Sequence, residues 1–257
     1  MQLGRLFVFS LFISVGFVSA QTPSPLEVSV LSYNIRHGAK DNGQTNLLRV
    51  VELIKKYKPD LVALQDIDSG AVRSGKLNQL RILALLTGYE ETFAKGANLK
   101  IGVSGVGILS RWPIEAVQKI MLPNPSATQE QVLCCALIEL PNFQFLRFCS
   151  TQLEKQSSLA RAMQLGLIQK FFENSVQPVV LAGSLNADPT DPHLLDLLSV
   201  FDDSGRGSDE VTFTDLDGRF DYVLTQKKAS FECVSHQIIE ETGTSDHLPV
   251  LVKYRLR

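Results

Sequence analysis

The chain has 257 residues, of which 44% are hydrophobic and 20% are charged. This composition excludes an intrinsically disordered chain, a collagen and a long coiled coil. The 25 lysines and arginines nearly balance the 27 aspartates and glutamates, for a net charge of -2. No long-range positive field therefore gathers nucleic acid or anionic lipid onto the surface, and any phosphate group would have to be bound at a local site.

The first twenty residues have the pattern of a secretory signal peptide. Arg5 precedes an uncharged, mostly apolar run from Leu6 to Val18, and the small residues up to Ala20 fit a cleavage site. We therefore expect a secreted or periplasmic protein that is cut after Ala20 and has no integral membrane span in its mature form. An uncleaved membrane anchor is the alternative. Residues 21–26 are expected to be a linker, and residues 27–257 a single domain.

Hydrophobic periodicity predicts strands and helices in a mixed order. A strand over 28–33 precedes an amphipathic helix over 46–57, a strand over 60–64 and a helix over 77–86. Strands follow over 105–109, 114–121, 132–140 and 143–151, then a helix over 159–172, a strand over 178–182, a short helix over 193–198, and strands over 220–224 and 248–254. Because some strands follow each other directly and others follow a helix, the sheets should be mixed, with the helices outside.

The four cysteines are too few and too scattered for a disulfide framework, and their spacing does not resemble a zinc site. A two-residue turn at Pro141 and Asn142 would place Cys134 opposite Cys149, which would allow a cross-strand disulfide in an oxidising compartment. We favour free thiols, because both strands are apolar on both faces and a free cysteine there behaves as a small core residue.

Polar side chains follow the ends of the predicted strands and form a candidate binding site. Strand ends within one sheet layer converge, so we expect these side chains at one cleft. Oxygen-rich sets of this kind suit hard cations such as Mg²⁺, which indicates a metal-dependent reaction on phosphate. A purely structural hydrogen-bonded cluster is the alternative. The residues are Asn34, Asp66, Asn186, Asp221, Asp246 and His247.

Six segments, in order, resemble the endonuclease/exonuclease/phosphatase superfamily: SYNIRHG, PDLVALQDID, GILSRWPI, LAGSLNADP, RFDYVL and SDHLPV. The resemblance covers nearly the whole expected mature chain. It implies the α/β fold of deoxyribonuclease I, a four-layer sandwich of two mixed β-sheets packed face to face with helices outside. It also implies hydrolysis of a phosphoester by water with Mg²⁺ or Mn²⁺. Asn34 and Asp66 would be metal ligands, and Asp246 would support the metal directly or through water.

The resemblance also assigns the groups that act on the phosphate. His247 matches the phosphate-facing histidine, Asp221 the aspartate that orients and charges it, and Asn186 the asparagine that positions the phosphate and the attacking water. These roles fit the chemistry, because a transferring phosphoryl group gathers negative charge that a cation and an imidazolium stabilise.

Four positions depart from the family's pattern. Asp66 stands in place of a glutamate, Gln152 in place of a histidine, Ser184 in place of an aspartate, and Val106 in place of an asparagine of close relatives. Ser184 does not accept a proton at neutral pH, a loss that typically costs about 10²–10⁴ in rate. Gln152 carries no charge, and losing one donor to transition-state charge costs about 10²–10³. Asp66 is one methylene shorter than glutamate, so metal binding should be weak or lost.

Two functions remain open from the sequence. One is a secreted, metal-dependent phosphoester hydrolase of weakened activity, with Ser184 and Gln152 at catalytic positions; the other is a catalytically silent protein that binds a phosphate-bearing ligand or a protein partner. The acidic balance and short loops favour a small phosphoester over nucleic acid, and we expect a monomer. Arg36 and His37 are interpreted as structural, and Asp68 and Arg73 as ion-paired near the cleft.

Overall fold

The computed structural model describes residues 25–39, 45–125, 129–142, 144–208, 210–241 and 243–256. The predicted signal peptide and most of the predicted linker lie outside these residues. Within the described parts, the helices are α1 (Leu47–Tyr57), α2 (Gln79–Thr87), α3 (Ser158–Phe172) and α4 (Pro192–Leu197). None of these helices is long and apolar enough to cross a bilayer.

The strands, in chain order, are β1 (Glu27–Asn34), β2 (Leu61–Ser69), β3 (Glu90–Asn98), β4 (Val103–Ser110), β5 (Ile114–Leu122), β6 (Gln131–Glu139), β7 (Phe145–Gln152), β8 (Val179–Ser184), β9 (Phe201–Asp203), β10 (Asp221–Gln226), β11 (Phe231–Ile238) and β12 (Val250–Leu256). They form one sheet of order β11-β12-β1-β2-β4-β3 and a second of order β5-β6-β7-β8-β10-β9. The β1–β2 and β7–β8 pairs are parallel, whereas the other pairs are antiparallel. Both sheets are therefore mixed.

Alternation along the strands builds the layers. In β1, Val28 and Val30 join the core between the two sheets, whereas Leu31 and Tyr33 face the layer that contains α1 and α2. Successive strand residues point to opposite faces, so a strand covered on both faces is apolar throughout. Helices α3 and α4 cover the second sheet in the same way. This arrangement confirms the predicted sandwich of two mixed sheets with helices outside.

The strands that the sequence pattern does not predict are edge strands. β3 and β11 flank the first sheet, and β9 flanks the second. Edge strands carry polar and exposed residues that blunt pairing with other chains, so their apolar alternation is weak. Glu90 and Lys95 on β3 and the exposed residues of β11 show this pattern.

The predicted strand register, which placed Cys134 opposite Cys149, is wrong by one residue. The prediction of free thiols is also wrong for Cys135 and Cys149. The Leu140 N–H donates to the Gln144 carbonyl oxygen at 2.8 Å, so the turn spans three positions rather than two. This shift of one residue places Cys135, not Cys134, opposite Cys149, and these two form a disulfide. Cys134 is a free, buried thiol as expected, facing the core between the sheets, whereas Cys233 is free and exposed.

These assignments predict a specific thiol chemistry. In the native protein a thiol reagent should modify Cys233 and spare Cys134, because Cys134 is buried and burial raises its pKa to about 11. A peptide map without reductant should link Cys135 to Cys149, and replacing both by serine should lower the free energy of unfolding by about 2–4 kcal/mol. A bridge through Cys134, or four free thiols in the exported protein, would contradict the register.

Candidate functional site

The candidate site lies where the ends of strands from both sheets meet. Gln152, Ser184 and Asp221 occupy paired positions on β7, β8 and β10, so they lie side by side across the second sheet. Gly183 permits this close pairing, because a Cβ there would lie 1.9 Å from the Thr151 carbonyl oxygen. From the end of β1 in the first sheet, Asn34 Nδ2 donates to Ser184 Oγ at 3.1 Å. The two sheets are thus joined at the site.

His247 and Asp221 form a buried pair. His247 Nδ1 lies 2.8 Å from Asp221 Oδ2, and the Phe213 ring stacks on the imidazole with centroids 4.4 Å apart. Burial lowers the pKa of His247, but the charge and hydrogen bond of Asp221 raise it by a larger amount. The pKa of His247 therefore lies above its ordinary value. The arrangement favours an imidazolium, which is suited to contact an anion.

Ser184 is a hydroxyl fixed between two polar side chains. It is fully buried, accepts from Asn34 and donates its proton to Asp221 Oδ1. Both contacts hold the hydroxyl in a structural role. It supplies no carboxylate that could take a proton from water at neutral pH.

Asn186 positions the chain after β7. Its Nδ2 donates to the Leu153 carbonyl oxygen at 2.7 Å, and its backbone adopts a left-handed conformation with φ 52. Two residues beyond Leu153, Lys155 places its Nζ 4.2 Å from the centroid of Phe213, the ring that stacks on His247. Lys155 and Phe213 therefore belong to the site, although neither lies in a sequence motif that predicts it.

Asp66 belongs to a polar cluster on the first sheet. It stands at an irregularity of the β2–β4 pairing and has a positive φ of 50. Its Oδ1 accepts from Arg73 Nη2 at 3.1 Å and from Ser104 Oγ at 3.0 Å, and its Oδ2 lies 3.4 Å from His37 Nδ1. Burial raises its pKa, but His37 and Arg73 lower it by more, so the carboxylate is held charged.

Each of the three predicted metal ligands is engaged by the chain's own donors. Asn34 Oδ1 accepts from the Arg36 N–H at 3.1 Å, and Asp246 Oδ2 lies 3.3 Å from Arg36 Nη1. Asp66 is bound by Arg73, as described above. In the part of the chain that the structure describes, no three histidine, cysteine, aspartate or glutamate side chains are placed to hold a metal ion together. The carboxylate and amide oxygens at which a divalent cation is expected therefore already accept from internal donors.

A cavity of about 570 Å³ lies beside these residues. Asp66, Val106 and Gln152, three of the positions that depart from the family's pattern, line it together with Lys155. Because Lys155 also contacts Phe213, the cavity adjoins the His247 pair. The departures therefore cluster at one surface rather than being scattered over the fold.

Comparisons with known proteins agree with this architecture. The model of the Endonuclease/Exonuclease/phosphatase family matches residues 31–247. A solved endonuclease/exonuclease/phosphatase from Beutenbergia cavernae has a TM-score of 0.74 at 21% identity, over 90% of this chain and 72% of that one. A family protein from Bacteroides thetaiotaomicron gives 0.77 at 16%, over 91% and 99%. A mannosyl-6-phosphatase of the same species gives 0.71 at 16%, over 88% and 98%. The comparison with curated proteins finds no match.

The raised pKa of His247 leads to a test. Asp221→Asn keeps the size of the side chain but removes its charge, so burial should dominate and the pKa of His247 should fall below its ordinary value of about 6.5. A folded-state pKa above the unfolded one means that the pair's stability is complete below about pH 6.5 and is lost as pH rises through the folded pKa.

NMR titration of the His247 imidazole measures both values, with the exposed Asp202→Asn on β9 as the matched control. The difference in free energy of unfolding between wild type and Asp221→Asn should shrink over the same pH interval. An imidazole that titrates alike in wild type and Asp221→Asn would show that the carboxylate does not charge His247.

Proposed function

Because the chain belongs to the endonuclease/exonuclease/phosphatase family, we propose that it is an exported phosphoester-binding protein with, at most, weak hydrolytic activity. Members of this family are typically dependent on a divalent metal. The observation that carries the proposal is the contrast within the site: the His247–Asp221 pair is intact, whereas the neighbouring position holds the engaged hydroxyl of Ser184.

The retained groups support binding of a phosphoryl anion. Asp221 takes the Nδ1 side of His247 and favours the imidazolium, which leaves the Nε2 side for a ligand. Lys155 adds a second positive charge against the ring of Phe213. Charge-assisted hydrogen bonds from such groups are about twice as strong as neutral ones.

The replaced groups account for weak hydrolysis. Attack by water needs a base that orients the water and takes its proton. Ser184 is not such a base, because its hydroxyl donates a hydrogen bond to Asp221. Gln152, paired with Ser184 on the next strand, offers an amide where an imidazolium would stabilise the transition state. Loss of the base typically costs about 10²–10⁴ in rate and loss of one transition-state donor about 10²–10³. Losses among groups that act together are not multiplicative.

The cavity favours a small, hydroxyl-rich phosphoester over nucleic acid. The wall next to Lys155 carries two carboxylates, Glu130 and Glu154, and a larger number of uncharged polar side chains: Gln129, Gln131, Gln152, Gln156 and Ser157. Such groups hydrogen-bond hydroxyls well and provide no stripe of positive charge for a polyphosphate backbone. The net charge of -2 agrees with this choice, and one structural neighbour is described as a mannosyl-6-phosphatase.

Export is supported by two independent features. The N-terminal pattern is that of a signal peptide, and the buried Cys135–Cys149 disulfide is a bond that persists in oxidising compartments.

Export gives a direct prediction. Expressed with its native N-terminus in a bacterial host, the protein should appear outside the cytoplasm with Gln21 as its first residue. N-terminal sequencing of the fractionated protein tests this, with an Arg5→Glu variant, which removes the positive charge of the leader, expected to slow export. An intact Met1 in the membrane fraction would replace the signal peptide with an anchor.

Restoring the lost groups should restore hydrolysis. Ser184→Asp would supply the base and Gln152→His the transition-state donor, and Asp66→Glu would supply a carboxylate one methylene longer, able to bind Mn²⁺ at a greater distance from the Arg73 guanidinium. We expect the triple variant to hydrolyse p-nitrophenyl phosphate or its bis ester at least about 10²-fold faster than wild type in Mn²⁺, and each single variant to gain little, because these groups act as a unit.

The control places the same exchanges elsewhere: Ser199→Asp with Gln169→His, a hydrogen-bonded pair at the surface. This variant should not exceed wild type. A wild type that already turns over rapidly would refute the weak-hydrolysis proposal, whereas a folded triple variant without activity would show that the cleft has diverged beyond these three positions.

A further inference from the structure

We propose that Arg73 takes the place of the divalent cation at Asp66, so that this chain binds phosphate without a metal ion. The phosphate arm of this inference rests on the proposed function; the metal arm rests only on the contacts of Asp66.

Arg73 is fixed by a second carboxylate, independently of Asp66. Its Nε donates to Asp68 Oδ2 and its Nη2 to Asp68 Oδ1, both at 2.8 Å. The Asp68 side chain is completely buried, and its backbone N–H is held by Gln79 Oε1 at 2.9 Å. A bidentate pair with a buried carboxylate sets both the position and the plane of the guanidinium.

The same guanidinium reaches Asp66. Nη2 lies 3.1 Å from Asp66 Oδ1, the oxygen that also accepts from Ser104, and Ser104 Oγ itself lies 3.4 Å from Nη2. On the other side, Oδ2 faces His37. Both oxygens are thus engaged by donors, and a dication at either one would be placed against the positive charge of Arg73.

A bulge in the β2 backbone also orients the Asp66 side chain towards Arg73 and Ser104. Two residues of β2, Gln65 and Asp66, oppose the single residue Val106 of β4, so the strand bulges at this point. Gln65 donates to Ser150 Oγ in the second sheet, whereas Asp66 is directed to Ser104 and Arg73. A bulge re-aims the side chains it carries.

The other expected ligands are paired with the chain's own donors. Asp246 is paired with Arg36, and Asn34 accepts from the Arg36 N–H and donates to Ser184. Internal cations therefore serve the carboxylates at which a metal is expected. Lys155, which lines the same cavity and lies 4.2 Å from the centroid of Phe213, provides positive charge for a phosphate that does not come from a metal ion.

The test is a Mn²⁺ titration followed by electron paramagnetic resonance. Wild type and Asp66→Asn should give the same titration, because Asp66 holds no metal. The double variant Arg73→Gln/Asp68→Asn removes both charges of the buried pair and frees Asp66, so it should bind Mn²⁺ at least about tenfold more tightly than wild type. Adding Asp66→Asn should abolish the gain. Arg81→Gln, at the exposed pair with Glu91, is the matched control.

Saturable Mn²⁺ binding to wild type that Asp66→Asn removes would overturn the inference, and this comparison decides even if the double variant does not fold. Inorganic phosphate, titrated by calorimetry, should bind wild type equally in Mn²⁺ and in EDTA; binding that requires Mn²⁺ would also overturn it. Absence of phosphate binding under both conditions would contradict the proposed function, while the Mn²⁺ comparison would still decide the role of Arg73.

Discussion

The hydrogen bond from Asn34 to Ser184 joins the two sheets at the point where the site is built. Asn34 ends β1 of the first sheet, Ser184 ends β8 of the second, and the Ser184 hydroxyl continues to Asp221. Asp221 in turn holds His247. All four side chains of this hydrogen-bonded series are buried, so each must form a hydrogen bond with its neighbour. Leaving one of them unpaired would cost about 1–3 kcal/mol. The serine thus stabilises the junction while giving up the chemistry of a carboxylate.

The carboxylates of the cleft are likewise paired with the chain's own cations. Asp66 is engaged by Arg73 and His37, and Asp246 by Arg36. Charged groups that could serve a reaction instead neutralise one another, while the two sheets and their flanking helices keep the family's architecture. Positive charge near the cavity remains on His247 and Lys155. These contacts support the proposal that the site binds an anion and hydrolyses it weakly at most.

The fold was predictable because buried strands and amphipathic helices carry strong periodic patterns. The edge strands β3, β9 and β11 were not, since their exposed residues weaken the alternation. The order of motifs predicted the neighbourhood of Ser184, Asp221 and His247. Lys155 could not be predicted as a site residue, because nothing in the local sequence distinguishes it from an ordinary solvent-exposed lysine. Its contact with Phe213 appears only in the folded chain. The disulfide register depended on one residue in a turn, which local sequence does not determine.

The central claim is that the site binds a phosphate ester without turning it over efficiently. It is tested most directly by following the His247 imidazole signal and product release in one sample of wild-type protein titrated with p-nitrophenyl phosphate in Mn²⁺. We expect a saturable shift of the His247 signal. Product release should be at least about 10²-fold slower than in the triple variant that carries Ser184→Asp, Gln152→His and Asp66→Glu. Rapid release, or a His247 signal that does not move at saturating ester, would contradict it.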